Sequence, residues 1–171
     1  MSGFICSPSQ DVGSSPTTPL PFTRNKKLKT KDKIVKLPPP TVCDYCGGKV
    51  EFVNNEVIYH KPYGKWPFIY LCHSCGAKVG CHKETRIPLG TLANDSLRKK
   101  RMDVHNAFDH LWKSKIVSRT NAYVMLRERL GITANECHIG QFTFEMCEKA
   151  LLAIEIINNR VIFFKNNSNS R

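Results

Sequence analysis

Two cysteine doublets carry the sharpest chemistry in this chain. Cys43-Asp44-Tyr45-Cys46-Gly47 and Cys72-His73-Ser74-Cys75-Gly76 each set two thiols three positions apart. On a tight turn that spacing aims both sulfurs at one ion, and the glycine that follows lets the backbone turn left-handed without a clash. The doublets are separated by 25 residues that read as strands, and together they supply four thiolates for tetrahedral Zn2+. This is the layout of a zinc ribbon, with one ion expected on Cys43, Cys46, Cys72 and Cys75. The competing reading is a redox pair or two disulfides; two doublets, each followed by glycine and with no export signal, favour the metal. Four protein thiolates leave no open position for water, so the expected ion is structural. Its binding would contribute folding energy on the order of 10 kcal/mol at neutral pH, which so small a module needs. His73 could replace a sulfur but fits the spacing worse than Cys75; Cys81-His82 nearby could be a ligand reserve, but Cys75 already completes the set.

A second constellation is His82, His105, Asp109 and His138. His105 and Asp109 are four apart on a predicted helix and so share a face. Convergence of all four would make a metal-dependent hydrolytic site, a nuclease for example. The alternative is structural: His105 bonded to Asp109, His82 and His138 satisfying loop carbonyls. Trp112, Phe108 and Leu111 read as core, Cys137 as a loop residue, and Cys147 as a small buried apolar group.

The third candidate is electrostatic. Of 171 residues, 26 are Lys or Arg and 14 are Asp or Glu, for a net charge of +12. The excess is +5 over 1–41, +1 over 42–85, +6 over 86–130 and zero over 131–171. Arg98-Lys99-Lys100-Arg101 opens a helix, where the macrodipole prefers acids, so phosphate neutralisation is a reason for the run. Arg86 flanks it, and the arm adds Lys26, Lys27, Lys29, Lys31 and Lys33. Tyr59, Tyr63, Trp66, Phe68 and Tyr70 interleave with Lys61 and Lys65, a mixture suited to stacking on unpaired bases beside backbone contacts. A solvated basic face over an ordinary ribbon core is the plainer alternative. No recognition-helix module is visible, so nonspecific binding is expected.

Elements must position these groups. Residues 1–41 are rich in Pro, Ser, Thr and Lys and end in Leu37-Pro38-Pro39-Pro40; they are expected to form a disordered basic arm with a stiff hinge. Lys49 to Val53 alternates, Asn54-Asn55 reads as a two-residue turn, and Glu56 to His60 alternates back as a hairpin. Phe68 to Leu71 and Ala77 to Cys81 are further short strands. Beyond Pro88-Leu89-Gly90 the period becomes helical. Asp95 is the expected N-cap, with Leu97, Arg101, Val104, Phe108 and Leu111 on one face. Ser118 caps a second helix with Ala122, Met125, Leu126 and Leu130 inward and Gly131 ending it. Thr143 caps a third, with Phe144, Cys147, Leu151, Ile154 and Ile157 inward. The predicted class is α+β: a zinc ribbon over 42–85, a three-helix part over 86–165 packed on it, and a frayed tail over 166–171. The longest apolar runs are far short of a membrane span, and Met1 to Gln10 lacks the pattern of a secretory signal. An intracellular protein without a membrane partner is expected.

Several strings carry a family likeness. Leu71-Cys72-His73-Ser74-Cys75-Gly76-Ala77-Lys78-Val79-Gly80-Cys81-His82 and Pro88-Leu89-Gly90-Thr91-Leu92-Ala93-Asn94 resemble a zinc-finger-containing family met in bacteriophages and prophages. The likeness continues through Leu97-Arg98, Arg101, His105, Phe108-Asp109 and Leu111-Trp112, and returns at Cys137-His138-Ile139-Gly140-Gln141-Phe142. It spans about residues 42–150. The family usually has Gly where this chain has Glu84 and Pro where it has His110. The resemblance implies a zinc site, carried onto Cys43, Cys46, Cys72 and Cys75, and assigns no reaction. The expected role is nonspecific nucleic-acid binding through Lys61, Lys65, Arg86, Arg98, Lys99, Lys100 and Arg101, as part of phage takeover or DNA metabolism. The alternatives are the hydrolase and an inhibitor that docks on a host protein.

Overall fold

Alternation brings Val50, at the start of the first strand, into the ribbon core, with Phe52 packed against it. A computed structural model describes residues 37–168 apart from Ile116, with side chains described to Phe163. Most of the expected arm, with its lysines, lies outside the described residues. Strand β1 (Val50–Asn54) pairs antiparallel with β2 (Phe68–Cys72), Val50 opposite Cys72 and Asn54 opposite Phe68. Strand β3 (Lys78–Gly80) pairs antiparallel with β2, giving the order β1-β2-β3.

The expected return strand at Glu56 to His60 is absent. In its place Glu56–Tyr59 forms one helical turn, α1, ended by His60 at φ 57°. The two asparagines, read as a hairpin turn, instead organise a loop. Asn54 Oδ1 accepts from Glu56 N at 3.0 Å. Asn55, 4% exposed, donates from Nδ2 to Tyr63 O at 2.7 Å and accepts at Oδ1 from Tyr63 N at 3.0 Å. Short Asn side chains compete with a strand ladder for backbone groups, and here they win. The partner of β1 therefore comes from residues 68–72.

Three long helices follow. Helix α2 (Asp95–Lys113) is capped by Asn94, whose Oδ1 accepts from Leu97 N at 2.9 Å, one residue before the expected cap. Asp95 sits in the first turn, where its carboxylate meets Lys78 at 2.7 Å and Arg98 at 3.2 Å. An acid there also suits the helix dipole and offsets the basic run behind it. The buried residues of α2 are Leu97, Arg101, Val104, Phe108 and Leu111, the face read from the period. Helix α3 (Arg119–Leu130) is capped by Ser118 and buries Ala122 and Leu126, with Gly131 closing it. A 3-10 turn, Ile139–Gln141, precedes α4 (Phe144–Ser168), where Thr143 Oγ1 accepts from Met146 N at 3.2 Å. Cys147, Ile154 and Ile157 are buried as expected, but Phe144 is 44% exposed and lies under the Lys100 ammonium at 5.0 Å. Its position in the first turn of α4 leaves the ring at the rim rather than in the core. Helix α4 also continues to Ser168, past the expected start of the tail. Phe108, 1% exposed, and the fully covered Val104 and Leu126 anchor this core at roughly 1.5–3 kcal/mol each.

Backbone contacts weld ribbon to helices. Lys78 and Ala93 exchange N–H···O bonds at 3.0 and 3.2 Å, and Cys81 bridges Pro88. Thr91 N donates to Gly140 O at 3.0 Å. At Gly90 a Cβ would stand 1.9 Å from that same oxygen, so only glycine permits this approach. Arg101, expected among the phosphate contacts, is 8% exposed and serves this junction instead. Its Nε donates to Phe142 O at 2.9 Å, Nη1 to Thr91 O at 3.0 Å and Nη2 to Thr91 Oγ1 at 2.7 Å. A guanidinium on the inward face is buried because three oxygens from two segments replace its water. Replacing Arg101 by Met is expected to lower stability by about 2–3 kcal/mol in urea unfolding, since charged hydrogen bonds are lost and their acceptors stay buried. A loss under about 0.5 kcal/mol, as at an ordinary surface site, would contradict that role.

Candidate metal centre and basic aromatic face

The two cysteine turns are built alike. Cys43 N donates to Gly48 O at 2.9 Å and Gly47 N to Cys43 O at 2.8 Å. In the second turn Cys72 N donates to Ala77 O at 2.9 Å and Gly76 N to Cys72 O at 2.8 Å. Gly47 and Gly76 take φ values of 68° and 76°, the left-handed conformation expected after each doublet. The first cysteine of each turn is buried and the second exposed. Cys43 Sγ lies 3.5 Å from Cys75 Sγ, and Cys46 Sγ 3.5 Å from Cys72 Sγ, so the turns interlock crosswise.

All four sulfurs fall within 4.8 Å of one another. A tetrahedral tetrathiolate with metal–sulfur bonds of about 2.3 Å has edges of about 3.8 Å, so the cluster fits such an ion. Electrostatics agree with that fit. Burial pushes the Cys72 thiol up, but the backbone N–H of Cys75, the Cys46 thiol and further donors outweigh it and bring it to about 6. At Cys75 the N–H of Ala77 favours ionisation, yet burial and the three neighbouring thiols carry it up to about 12. Without a cation, four crowded sulfurs cannot all be charged. A divalent ion removes that conflict.

A family model for a zinc-finger-containing domain matches residues 39–157. The chain belongs to that zinc-finger-containing domain family. No curated protein and no solved structure matches it.

Within this zinc-finger-containing domain the other candidates stand outside the four-thiol cluster. His73 is exposed and directs Nε2 to Glu51 at 3.1 Å, away from the thiols. Cys81 is buried, its thiol pushed up to about 11 by that burial, and it stands apart from the four. His82, His105 and His138 do approach one another. Burial holds His138 below the ordinary imidazole range, and His105 and His82 add to the effect. Nδ1 of His138 is buried without a hydrogen-bond partner. Asp109, however, is committed to Trp112 Nε1 at 3.1 Å and Lys113 Nζ at 2.8 Å. Among the described residues, the four cysteines alone gather closely enough to hold an ion.

The basic and aromatic residues also separate into groups. Lys61, Lys65, Arg86 and Lys99 are exposed, whereas Lys100 is half-buried and pairs with Glu148 at 3.3 Å. Tyr70, expected on the stacking face, is 4% exposed and donates its hydroxyl to Arg86 O at 2.8 Å. Tyr59 and Tyr63 pack at 5.6 Å, and Arg98 Nη2 donates to Tyr59 Oη at 3.4 Å. Trp66 and Phe68 turn elsewhere, onto an open groove of about 400 Å3 lined with Phe52, Glu84, Thr85 and Arg86. Phe52 and Phe68 stack at 5.2 Å and 9°, Trp66 meets Phe68 at 4.9 Å, and the Arg86 guanidinium lies 4.9 Å over Phe52. Trp66 Nε1 donates to Thr85 O at 3.1 Å, holding the 84–86 segment against the rings. Phe52, which lies outside the interleaved Lys and aromatic run, enters the groove from β1, opposite Tyr70 in the ladder. Glu84 has φ 59°, which explains why glycine suits that position.

Two outcomes follow from this geometry. The reduced protein should carry one divalent ion per chain by elemental analysis, lost with Cys72→Ser or a strong chelator together with the ribbon's cooperative unfolding. A metal-free protein that unfolds identically with and without chelator would contradict the fit. Glu84→Gly should raise stability by about 1 kcal/mol, because a left-handed non-glycine backbone is strained by that order. Thermal unfolding that shows a decrease would place the strain elsewhere.

Proposed function

We propose that the four-cysteine cluster holds a structural Zn2+ and that the chain binds nucleic acid nonspecifically through its basic face. With four thiolate ligands the ion has no vacant position for a substrate or water, so its task is to fix the ribbon. The observation that carries the binding reading is the state of the cations. Lys61, Lys65, Arg86 and Lys99 are exposed and have no acidic partner among the described residues, in a chain of net charge +12. Unpaired cations release counterions when they meet phosphates, and that release drives sequence-independent affinity. The Arg98–Tyr59 hydrogen bond ties the start of α2, which bears Lys99, to the loop that bears Lys61. Arg101 has no place in the basic face, being enclosed at the junction. A part in phage DNA metabolism fits this reading, as does an intracellular setting where nucleic acid is met. No helix among the described residues is long and apolar enough to cross a membrane.

Single-stranded binding with four phosphate contacts predicts a log–log salt slope of about −2.8, or roughly a fiftyfold loss of affinity between 50 and 200 mM salt. Fluorescence anisotropy with a thymine oligonucleotide checks this. Lys65→Gln or Lys99→Gln should each flatten the slope by about 0.7. Binding that ignores salt, or none at low salt, would end the proposal.

A further inference from the structure

The groove beside β1 and β2 differs from the rest of the basic face in three respects. Its walls are rings: Phe52, Phe68 and Trp66, the first two stacked nearly parallel. Its cation, Arg86, lies over a ring face rather than standing alone in solvent. And it contains a carboxylate, Glu84, in a left-handed backbone conformation that glycine would adopt without strain. A site made only for phosphates gains nothing from an acid, which repels them. A carboxylate beside aromatic walls suits the edge of a base, whose faces stack and whose N–H groups need acceptors.

We infer that this groove receives one unpaired guanine of a single strand, stacked on the aromatic wall with its Watson–Crick edge turned to Glu84; this rests on the nucleic-acid reading above. The choice of base follows from donors and acceptors. A carboxylate has two acceptor oxygens and no donor. Guanine offers two adjacent donors, N1–H and N2–H, to such a pair. Adenine and cytosine each set an acceptor nitrogen beside their amino group, and thymine flanks its one N–H with carbonyls. Lys83, 3.0 Å from Glu84 at the groove's edge, and Arg86 offset the carboxylate's repulsion of the flanking phosphates. The rigid mounting is supplied by Trp66 Nε1 on Thr85 O and by Tyr70 Oη on Arg86 O, which pin the residues on the C-terminal side of Glu84.

The test uses the full metal-loaded chain carrying Trp112→Phe, so that Trp66 is the remaining tryptophan of the two. An all-thymine octamer and the same octamer with one central guanine are titrated at low salt, following Trp66 fluorescence and anisotropy. The guanine oligomer is expected to bind about tenfold more tightly and to quench Trp66 more strongly, the scale of one good bidentate base contact. Glu84→Gln should bring the guanine-to-thymine ratio close to one, whereas Lys65→Gln should weaken both oligomers alike. Equal affinities for the two oligomers, or a ratio that survives Glu84→Gln, would overturn the guanine site while leaving nonspecific binding intact. Failure of both oligomers to bind would remove the nucleic-acid reading and this site with it.

Discussion

Four sulfurs held within 4.8 Å of one another set the terms for the first half of the body. The ribbon core is small: Val50, Tyr70, Cys72, Ala77, Cys81, Leu92 and Cys43, with three partly covered neighbours. Two of its seven buried members are cluster thiols, so the apolar core and the candidate metal ligands partly coincide. So small a core contributes little hydrophobic burial, and a module of this size gains much from a metal staple. A cation shared by the four would do two things together. It would relieve the repulsion that stops all four thiols from ionising, and it would fasten the turn before β1 to the turn after β2.

The helical part then receives the ribbon on a polar joint. Arg101 stands on a helix face otherwise made of Leu97, Val104, Phe108 and Leu111, and its three hydrogen bonds reach Thr91 and Phe142. Beside it, the Gly90 and Gly140 backbones touch with no room for a side chain. A buried guanidinium is directional where apolar contact is not. It selects one docking of the 88–91 loop on the segment before α4, and the Lys78–Ala93 bridge continues that register into β3.

That joint also decides what remains outside. Enclosing Arg101 and pairing Lys100 with Glu148 leave the outward chemistry to Lys61, Lys65, Arg86, Lys99 and the aromatic groove. Glu84 lines the groove in a left-handed backbone, with Arg86 two residues on. The three histidines sense one another, yet Asp109 is drawn off to Trp112 and Lys113, three and four residues further along α2. The i+3 and i+4 partners on α2 take that carboxylate's hydrogen bonds, and His105, four residues before it on the same helix, feels its charge.

Much of this was legible from the residues alone. The doublets and their glycines, the caps at Ser118 and Thr143, the closing Gly131 and the inward face of α2 were all readable, because each rests on bonds or periods spanning four residues or fewer per step. The sequence also carried the family strings and the charge surplus. The partner of β1 was not readable: alternation at Glu56 to His60 looks like a strand until Asn55 is seen gripping Tyr63. Nor was the fate of Arg101, whose acceptor Phe142 lies 41 residues away, or the division of the five ring-bearing residues between core, loop and groove. Burial is a property of what arrives from elsewhere in the chain. Only the folded arrangement decides which cation loses its water and which keeps it.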